Sequence, residues 1–518
     1  MGRRADRARV PSLRATGEIA VLTPEAMRAW DASAIQQLGV PERVLMEAAG
    51  RTAAEALQRH FPRGRVAAAV GRGNNGGDAL VLLRTLRAWG REVCAVTEPG
   101  AEVPVELLHG WEVPSEADSA RAFARADVII DGVLGTGARG APRAAAAALI
   151  EAQNAAGRPI VALDGPSGVD LQTGQVPGVA VEAALTVTFG ALKHGLVLYP
   201  GRRLAGRTLM VEIGLPPRAA DAALLTPGWA RTRLPPVAPN AHKGTLGTVV
   251  VVAGHEGMAG AAVLAARGAL RAGAGMVRLV SSAANRVILQ ASVPEALFTD
   301  RTSAEVEHVC ERAAAVVVGP ALGLDEESGA LLRRVLSSGS APLLLDADAL
   351  THIAHEPALL EAARGRRLLL TPHPGEMSRL NGEPIASIVA APFEHARGLA
   401  ERLGVSVLLK GAPSLVATPG EITRVSVMGH SGIATGGMGD TLSGVAGTML
   451  AMGCSAHDAA GLALVYASRA AELAGRGRGL LPPDVAEAIP AAIAEALERP
   501  NARDALPPGV LLDLPAPR

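Results

Sequence analysis

Short, uninterrupted runs of Val, Ile, Leu and Ala recur along the chain, separated by longer alanine-rich stretches, and this alternation constrains the fold more than any other feature. A run that is apolar at every position has to be covered on both faces, which is the condition of a strand inside a parallel sheet flanked by helices. Val66–Val70, Val93–Val96, Val128–Ile130, Ile160–Leu163 and Leu185–Val187 form one such series. Thr248–Val252, Val277–Val280, Val316–Val318, Leu343–Leu345, Leu368–Leu370 and Val405–Leu409 form a second. Between them lie helical stretches such as Ala79–Trp89, closed by Gly90 at a C′ position, and Ala261–Arg271. Both halves are expected to be α/β.

The two series do not repeat each other, so two different domains are expected rather than a duplication. Proline gathers between them, at Pro216, Pro217, Pro227, Pro235, Pro236 and Pro239, and restricts both itself and its predecessor to extended backbone. The expected organisation is a disordered tail over 1–18, a first domain over 19–222, a proline-rich linker over 223–240 and a second domain over 228–505, with a loose end beyond 505. At 518 residues the chain is long enough for this. Its 50 basic and 50 acidic side chains balance, which gives no electrostatic reason to expect a nucleic-acid or membrane partner. Aromatic residues make up only 2%, too few for a base-stacking surface. Cys94, Cys310 and Cys454 are too far apart for a zinc site or a disulfide scaffold. No apolar run reaches the roughly 18 residues of a membrane span, and the arginine-rich start is not a secretory signal, so the cytoplasm is expected.

In the first half, three loops leave strand ends in the same way. They are Gly71-Arg72-Gly73-Asn74-Asn75-Gly76-Gly77-Asp78, Asp131-Gly132-Val133-Leu134-Gly135-Thr136-Gly137 and Asp164-Gly165-Pro166-Ser167-Gly168-Val169-Asp170. Ligands of open α/β sheets bind beyond the carboxyl ends of strands, so these loops can converge on one crevice. The first lets backbone approach a phosphate at a helix start, although it also reads as a tight Asn-Gly turn before a helix capped by Asp78. Together with Leu45-Met46-Glu47, these motifs resemble the NAD(P)H-hydrate epimerase family, in order over about 200 residues. The resemblance implies a Rossmann-like domain that interconverts R and S hydrates of NADH or NADPH. It implies hydrate contacts at Asn74, Asn75, Gly76, Gly77 and Asp78, at Gly135, Thr136, Gly137, Ala138, Arg139, Gly140 and Ala141, and at Asp164. It also implies a potassium ion on Asn75, Asp131 and Ser167, whose hard oxygens suit an alkali cation. Asp164, at the end of an apolar strand, is the expected proton-transfer residue; Lys193 is a second catalytic candidate, or simply a solvated strand-end lysine. Asp170 reads as a turn cap before Thr173-Gly174. Gly165 and Ala79 depart from the family, which has an apolar residue and a glycine there.

The second half carries His242-Lys243-Gly244, Gly257-Met258-Ala259-Gly260, Val318-Gly319-Pro320-Ala321-Leu322-Gly323, and Asp346 and Asp348 before Ala349. It continues with His373-Pro374-Gly375-Glu376-Met377-Ser378-Arg379, then Lys410-Gly411-Ala412-Pro413-Ser414, then Ala434-Thr435-Gly436-Gly437-Met438-Gly439-Asp440 leading into helix Thr441–Leu450. Bare amides at that helix start can hold a transferring phosphoryl group, and Asp440 can draw a proton from an attacking hydroxyl or merely cap the helix. These loops resemble the ADP-dependent NAD(P)H-hydrate dehydratase family, a branch of the ribokinase-like fold, from about His242 to Gly453. The resemblance implies hydrate contacts at Gly323, across His373–Arg379 and at Asp440. It implies ADP contacts at Lys410–Ser414 and at His430, Ser431, Gly432, Ile433, Ala434, Thr435, Gly436, Gly437, Met438 and Gly439. Asp440 then activates the hydrate's hydroxyl, ADP phosphorylates it, and loss of phosphate restores the cofactor with AMP as by-product. Lys410 can neutralise phosphate charge, and Asp346 and Asp348 can reach magnesium through water or cap a helix. Departures are Met438 for Thr or Ser, Ala321 for glycine and His430 for asparagine.

The expected protein is a bifunctional, cytoplasmic repair enzyme; the alternative is a ribokinase-like small-molecule kinase fused to a non-catalytic nucleotide-binding module. Its expected ligands are the hydrates, ADP, magnesium and potassium, and it is expected to assemble with itself.

Overall fold

The computed structural model describes residues 13–517 apart from 102, 103, 217, 430 and 499–504. The chain divides into two compact units, one holding the residues up to Ala223 together with the closing segment, the other Leu224–Arg499. The first unit is built on an eight-stranded sheet ordered Arg14–Ala15, Val510–Leu514, Arg207–Val211, Leu185–Phe189, Ile160–Leu163, Val128–Gly132, Val66–Val70, Val93–Thr97. Its inner strands pair in parallel and are buried along their length. That is what uninterrupted apolar runs demand once helices cover both faces.

The second unit has a ten-stranded sheet ordered Ala222–Leu224, Thr423–Ser426, Ser414–Ala417, Ser406–Leu409, Leu368–Leu370, Leu343–Leu345, Ala315–Val318, Thr248–Val252, Met276–Ser281, Leu297–Asp300. Its centre is parallel, and the Ser406–Leu409, Ser414–Ala417 and Thr423–Ser426 strands form an antiparallel meander at one end. The helices Ala259–Arg271, Met438–Ala451 and Ala456–Ala474 fill one face with small side chains. Alanine permits such close helix packing, and the core therefore needs few aromatic residues.

The structure corrects three expectations about the loose segments. Residues 1–12 of the expected tail lie outside the described residues, but Arg14 and Ala15 form a strand paired antiparallel with Asp513 and Leu512. The end of the chain is not loose: Val510–Leu514 pairs with Arg207–Val211 and buries Val510, Leu512 and Leu514. The proline-rich stretch is not an unstructured linker either. Thr226 accepts a hydrogen bond from Trp229 N at 3.1 Å and starts a helix over Pro227–Arg233, whose Trp229 and Ala230 enter the second core. Proline at the first helical turn sacrifices no hydrogen bond, so Pro227 begins a helix rather than preventing one.

Candidate active sites

In the first unit the helix starts earlier than the glycine-rich loop suggests. It spans Asn74–Ala88 with Gly73 at the N-cap, so residues 74–78 are its first turn and Asp78 is not its cap. Space dictates the glycines: a Cβ on Gly76 would lie 2.1 Å from the carbonyl oxygen of Gly71. Asn74 Nδ2 donates to Glu42 Oε1 at 2.7 Å, and Asn75 Nδ2 donates to the Leu134 carbonyl at 3.0 Å. Arg84, buried, donates to Glu47 Oε1 at 2.8 Å and to the Leu107 carbonyl at 2.7 Å, which gives the Leu45-Met46-Glu47 motif a structural role. That hydrogen bond from Arg84 holds the Glu47 carboxyl below its ordinary range. Ala79, where a glycine is common, packs its methyl against Gly132.

The loops at 131–137 and 164–170 are tied together. Ser167 Oγ donates to Asp131 Oδ1 at 2.6 Å and Ser167 N to Asp131 Oδ2 at 2.8 Å. Leu134 N donates to Ser167 Oγ at 2.8 Å. Burial pushes the Asp131 carboxyl up, against the hydrogen bonds from Ser167. Beside this knot the Asn75 amide oxygen is buried with no protein partner. An orphaned hard oxygen next to a hydroxyl and a carboxylate is a donor set that suits an alkali cation.

Lys193 is not solvated. It is fully buried at the end of a short strand, Leu192–Lys193, and pairs with Asp164 Oδ1. Its ammonium also donates to Thr188 Oγ1 at 3.0 Å and to the Phe189 carbonyl at 2.9 Å. Asp164 itself is 8% exposed and sits at φ +64°, a left-handed backbone that a non-glycine residue adopts at a cost. Two further carboxyls share this field. Burial drives Asp78 well above its ordinary value, with Asp164 and Asp31 adding to it. Burial likewise raises Asp31 to about 6, with Lys193 opposing and Asp164 and Glu42 adding. The sequence reading missed Asp31, which no motif marks. Residues 135–141 run on from the knot as a largely exposed loop, and Asp170 caps its turn by accepting from Gln172 N at 2.8 Å and Thr173 N at 3.1 Å.

In the second unit, three adjacent parallel strands deliver the charged groups from their carboxyl ends. Asp346 follows Leu343–Leu345, His373 and Glu376 follow Leu368–Leu370, and Lys410 follows Ser406–Leu409. Lys410 Nζ donates to Asp346 Oδ1 at 2.7 Å and lies 3.7 Å from Glu376 Oε2. Ser443 Oγ donates to the other oxygen of Asp346 at 2.7 Å. Asp346 stands at the N-cap of helix Ala347–His355, yet its side chain does not cap that helix: both oxygens are spent on Lys410 and Ser443. Burial lowers the Lys410 ammonium's affinity for its proton, and Asp346 and Glu376 more than offset it, so the group is held above its ordinary value.

Asp440 is not an N-cap. Gly437, at φ +88°, takes that position, and Asp440 lies in the first turn of helix Met438–Ala451. Burial raises its carboxyl to about 7, with Asp346 adding and Lys410 opposing. It is therefore poised to exchange a proton near neutral pH. Met438 packs against the hydrophobic core. Ala321 adopts φ +46°, which explains why glycine is natural there.

Of the residues expected to contact hydrate, Gly323 is held at both ends: its N–H donates to Asp348 Oδ2 at 2.9 Å, and its carbonyl meets His352 Nε2 at 3.0 Å. His373 Nδ1 accepts from Gly375 N at 2.9 Å while Glu376 Oε2 accepts from His373 N at 2.8 Å, a reciprocal cap on helix Pro374–Asn381. Met377, in the same run, is wholly buried, which withdraws its side chain from the expected contacts. Ser378 Oγ donates to the Glu383 carbonyl at 2.6 Å, and Arg379 Nη2 reaches Thr351 Oγ1 at 3.4 Å. In 410–414, Ser414 Oγ closes the loop on the Gly411 carbonyl at 3.0 Å. His430 lies outside the described residues, and residues 431–439 run through a short 3₁₀ turn, Ser431–Ile433, into the Asp440 helix. The sequence reading missed Ser443, whose place one turn beyond Asp440 on the same helix was the signal that could have found it.

Two α/β units with separate acid–base clusters at strand ends, one of them set under a glycine-rich helix start, define a two-site enzyme of nucleotide chemistry. Residues 249–491 match the NAD(P)H-hydrate dehydratase family, and residues 42–195 match the family described as YjeF-related protein N-terminus. The bifunctional NAD(P)H-hydrate repair enzyme Nnr of Moorella thermoacetica is 34% identical, over 89% of this chain and 93% of its own. That of Mycobacterium tuberculosis strain H37Rv is 39% identical, over 76% of this chain and 80% of its own. A solved ribokinase-like superfamily protein from Enterococcus faecalis matches with a TM-score of 0.50 at 24% identity, covering 54% of this chain and 98% of that one; it bears on the fold alone. The chain belongs to the family of bifunctional NAD(P)H-hydrate repair enzymes.

Proposed function

We propose that the first unit epimerises the R and S hydrates of NADH and NADPH through Asp164, with Lys193 paired to its carboxylate. The second unit then dehydrates the S form at the expense of ADP. The observation that carries the reading is the presence on one chain of two independent acid–base clusters, Asp164–Lys193 and Asp440–Lys410–Asp346, inside regions that match the two halves of the family. In the second site Asp440 accepts the proton of the hydrate's hydroxyl as that oxygen attacks the β-phosphorus of ADP. AMP departs, and the phosphate ester formed then leaves as inorganic phosphate while the neighbouring ring carbon gives up a proton to solvent and the ring double bond is restored. The amides of residues 436–439 and the Lys410 ammonium stabilise the charge of the transferring group. A small-molecule kinase would instead stop at a stable phosphorylated product.

Asn75, Asp131 and Ser167 would hold potassium, supported by the orphaned Asn75 oxygen; a bound cation supplies fixed positive charge near the hydrate's polar groups. Magnesium would enter on the phosphates of ADP, with Asp346 and Asp348 reaching it through water. Lys410 is the cation this chain itself places there. No helix among the described residues is long and apolar enough to cross a membrane. We place the enzyme in the cytoplasm as a homo-oligomer, following the family resemblance.

Separate variants test the assignment. Asp164→Asn should abolish epimerisation and leave S-hydrate dehydration intact. Asp440→Asn should cut dehydration on the order of 100-fold or more and leave epimerisation intact. The wild-type dehydration rate should rise as pH passes through about 7, where Asp440 loses its proton. Loss of both activities in either variant would contradict two independent sites.

A further inference from the structure

The epimerase site holds more carboxyls than the Asp164–Lys193 pair uses, and one of them lies on a helix that braces the site at two points. Strand Val21–Leu22 pairs in parallel with Leu192–Lys193, with Leu22 opposite Lys193. Thr23 then caps helix Pro24–Gln36, accepting from Ala26 N at 3.0 Å. A Cβ on Gly190 would lie 3.3 Å from Met27 and 3.6 Å from Trp30, so the first turns of this helix rest on the loop that leads to Lys193. Arg28 Nη1 reaches the other end of the site and donates to the Thr136 carbonyl at 3.2 Å. Asp31 follows Arg28 by three residues and Met27 by four, so it continues the helix face that touches both.

Resting on the epimerase reading of this site, we propose that Asp31 is its second proton-carrying carboxyl, working beside the Asp164–Lys193 pair. Inverting a carbon that bears a hydroxyl requires an acid when the hydroxyl leaves and a base when water returns to the other face. Asp164 is already paired with a buried lysine, which leaves the acid unassigned. Asp78 and Asp31 are both partly exposed, and Asp31 is the one carried by the helix that touches the site at both ends. The groups that set its proton affinity are Lys193, Asp164 and Glu42, with Asp78 in the same field and Arg28 on its own helix. Two carboxyls in unlike environments, one paired with a buried lysine and one raised by burial, are the arrangement an acid–base pair needs. The step balances. The carbon–oxygen bond breaks, the neighbouring ring nitrogen's lone pair forms a C=N⁺ bond, and the hydroxyl leaves as water with the Asp31 proton. Water then adds to the opposite face and gives its proton to Asp164, the electron pair returns to nitrogen, and exchange with solvent returns that proton to Asp31.

The test uses full-length enzyme and R-hydrate without ADP, with S-hydrate formation followed by chromatography above the enzyme-free rate. The wild-type rate should fall as pH rises through about 6. Asp31→Asn should lower it on the order of 100-fold and abolish that fall, while Asp31→Glu restores part of both. Dehydration of S-hydrate with ADP, measured on the same samples, should be unchanged, which reports an intact chain. An Asn variant that keeps the wild-type rate, or loses rate yet keeps the wild-type pH profile, overturns the proposal. A wild-type enzyme that dehydrates but does not epimerise removes the reading of the site itself, and the proposal with it.

Discussion

Lys410 shows how one side chain holds a cluster of like charges together. Asp346 and Glu376 are buried, and Asp440 lies close enough to feel both, so three carboxyls share one ammonium. Removing one member of a buried ion pair costs about 3 kcal/mol or more, because the remaining charge is left without a partner. Lys410→Met should therefore lower the thermal midpoint of the second unit, raise the KM for ADP and push Asp440 further up. The dehydration profile should then move to higher pH than the wild type's rise near 7. Calorimetry together with a pH–rate profile checks this, and an unshifted profile would mean that Lys410 does not set the field at Asp440. Asp164 and Lys193 present the same logic in the first unit, except that there the lysine has two further acceptors, Thr188 and Phe189.

At the scale of elements, the closing strand carries the clearest consequence. Val510–Leu514 covers the edge of Arg207–Val211 and buries three aliphatic side chains in the first unit. Deleting residues 506–518 should cost that unit on the order of 4 kcal/mol, or roughly 10 °C of midpoint, and bring aggregation through the exposed edge. Epimerisation should then be lost on heating before dehydration, which two activity assays on heated samples would reveal. Central strands were legible in the sequence because parallel pairing forces them to be apolar at every position, and Val66–Val70 and Thr248–Val252 occur where their runs predict. The closing strand was not legible: Val510–Leu514 is interrupted by Asp513, is preceded by Pro507 and Pro508, and finds its partner some 300 residues earlier, a pairing no local pattern encodes. The site follows the same division. Asp164, Lys410 and Asp440 stand at strand ends or a glycine-rich helix start and could be picked out. Asp31 sits mid-helix with no motif around it and acquires its environment only from tertiary packing.

At the scale of the whole molecule, one chain joins an enzyme that interconverts two epimers to one that consumes a single epimer. The residues proposed for each site lie within one unit: Asp164, Lys193, Asp31 and the Asn75–Asp131–Ser167 knot in the first, and Lys410, Asp346, Glu376 and Asp440 in the second. Such a fusion lets the whole hydrate pool be recovered, because the S form is withdrawn as fast as the R form replaces it. The direct measurement starts from a mixed R and S NADPH-hydrate preparation with ADP, magnesium and potassium. It follows the return of near-ultraviolet nicotinamide absorbance, with AMP and phosphate assayed at the end. Recovery of both epimers, with one AMP and one phosphate per cofactor restored, is the predicted result. Recovery that stops at the S fraction would contradict an active epimerase, and no recovery with ADP would contradict the repair function altogether.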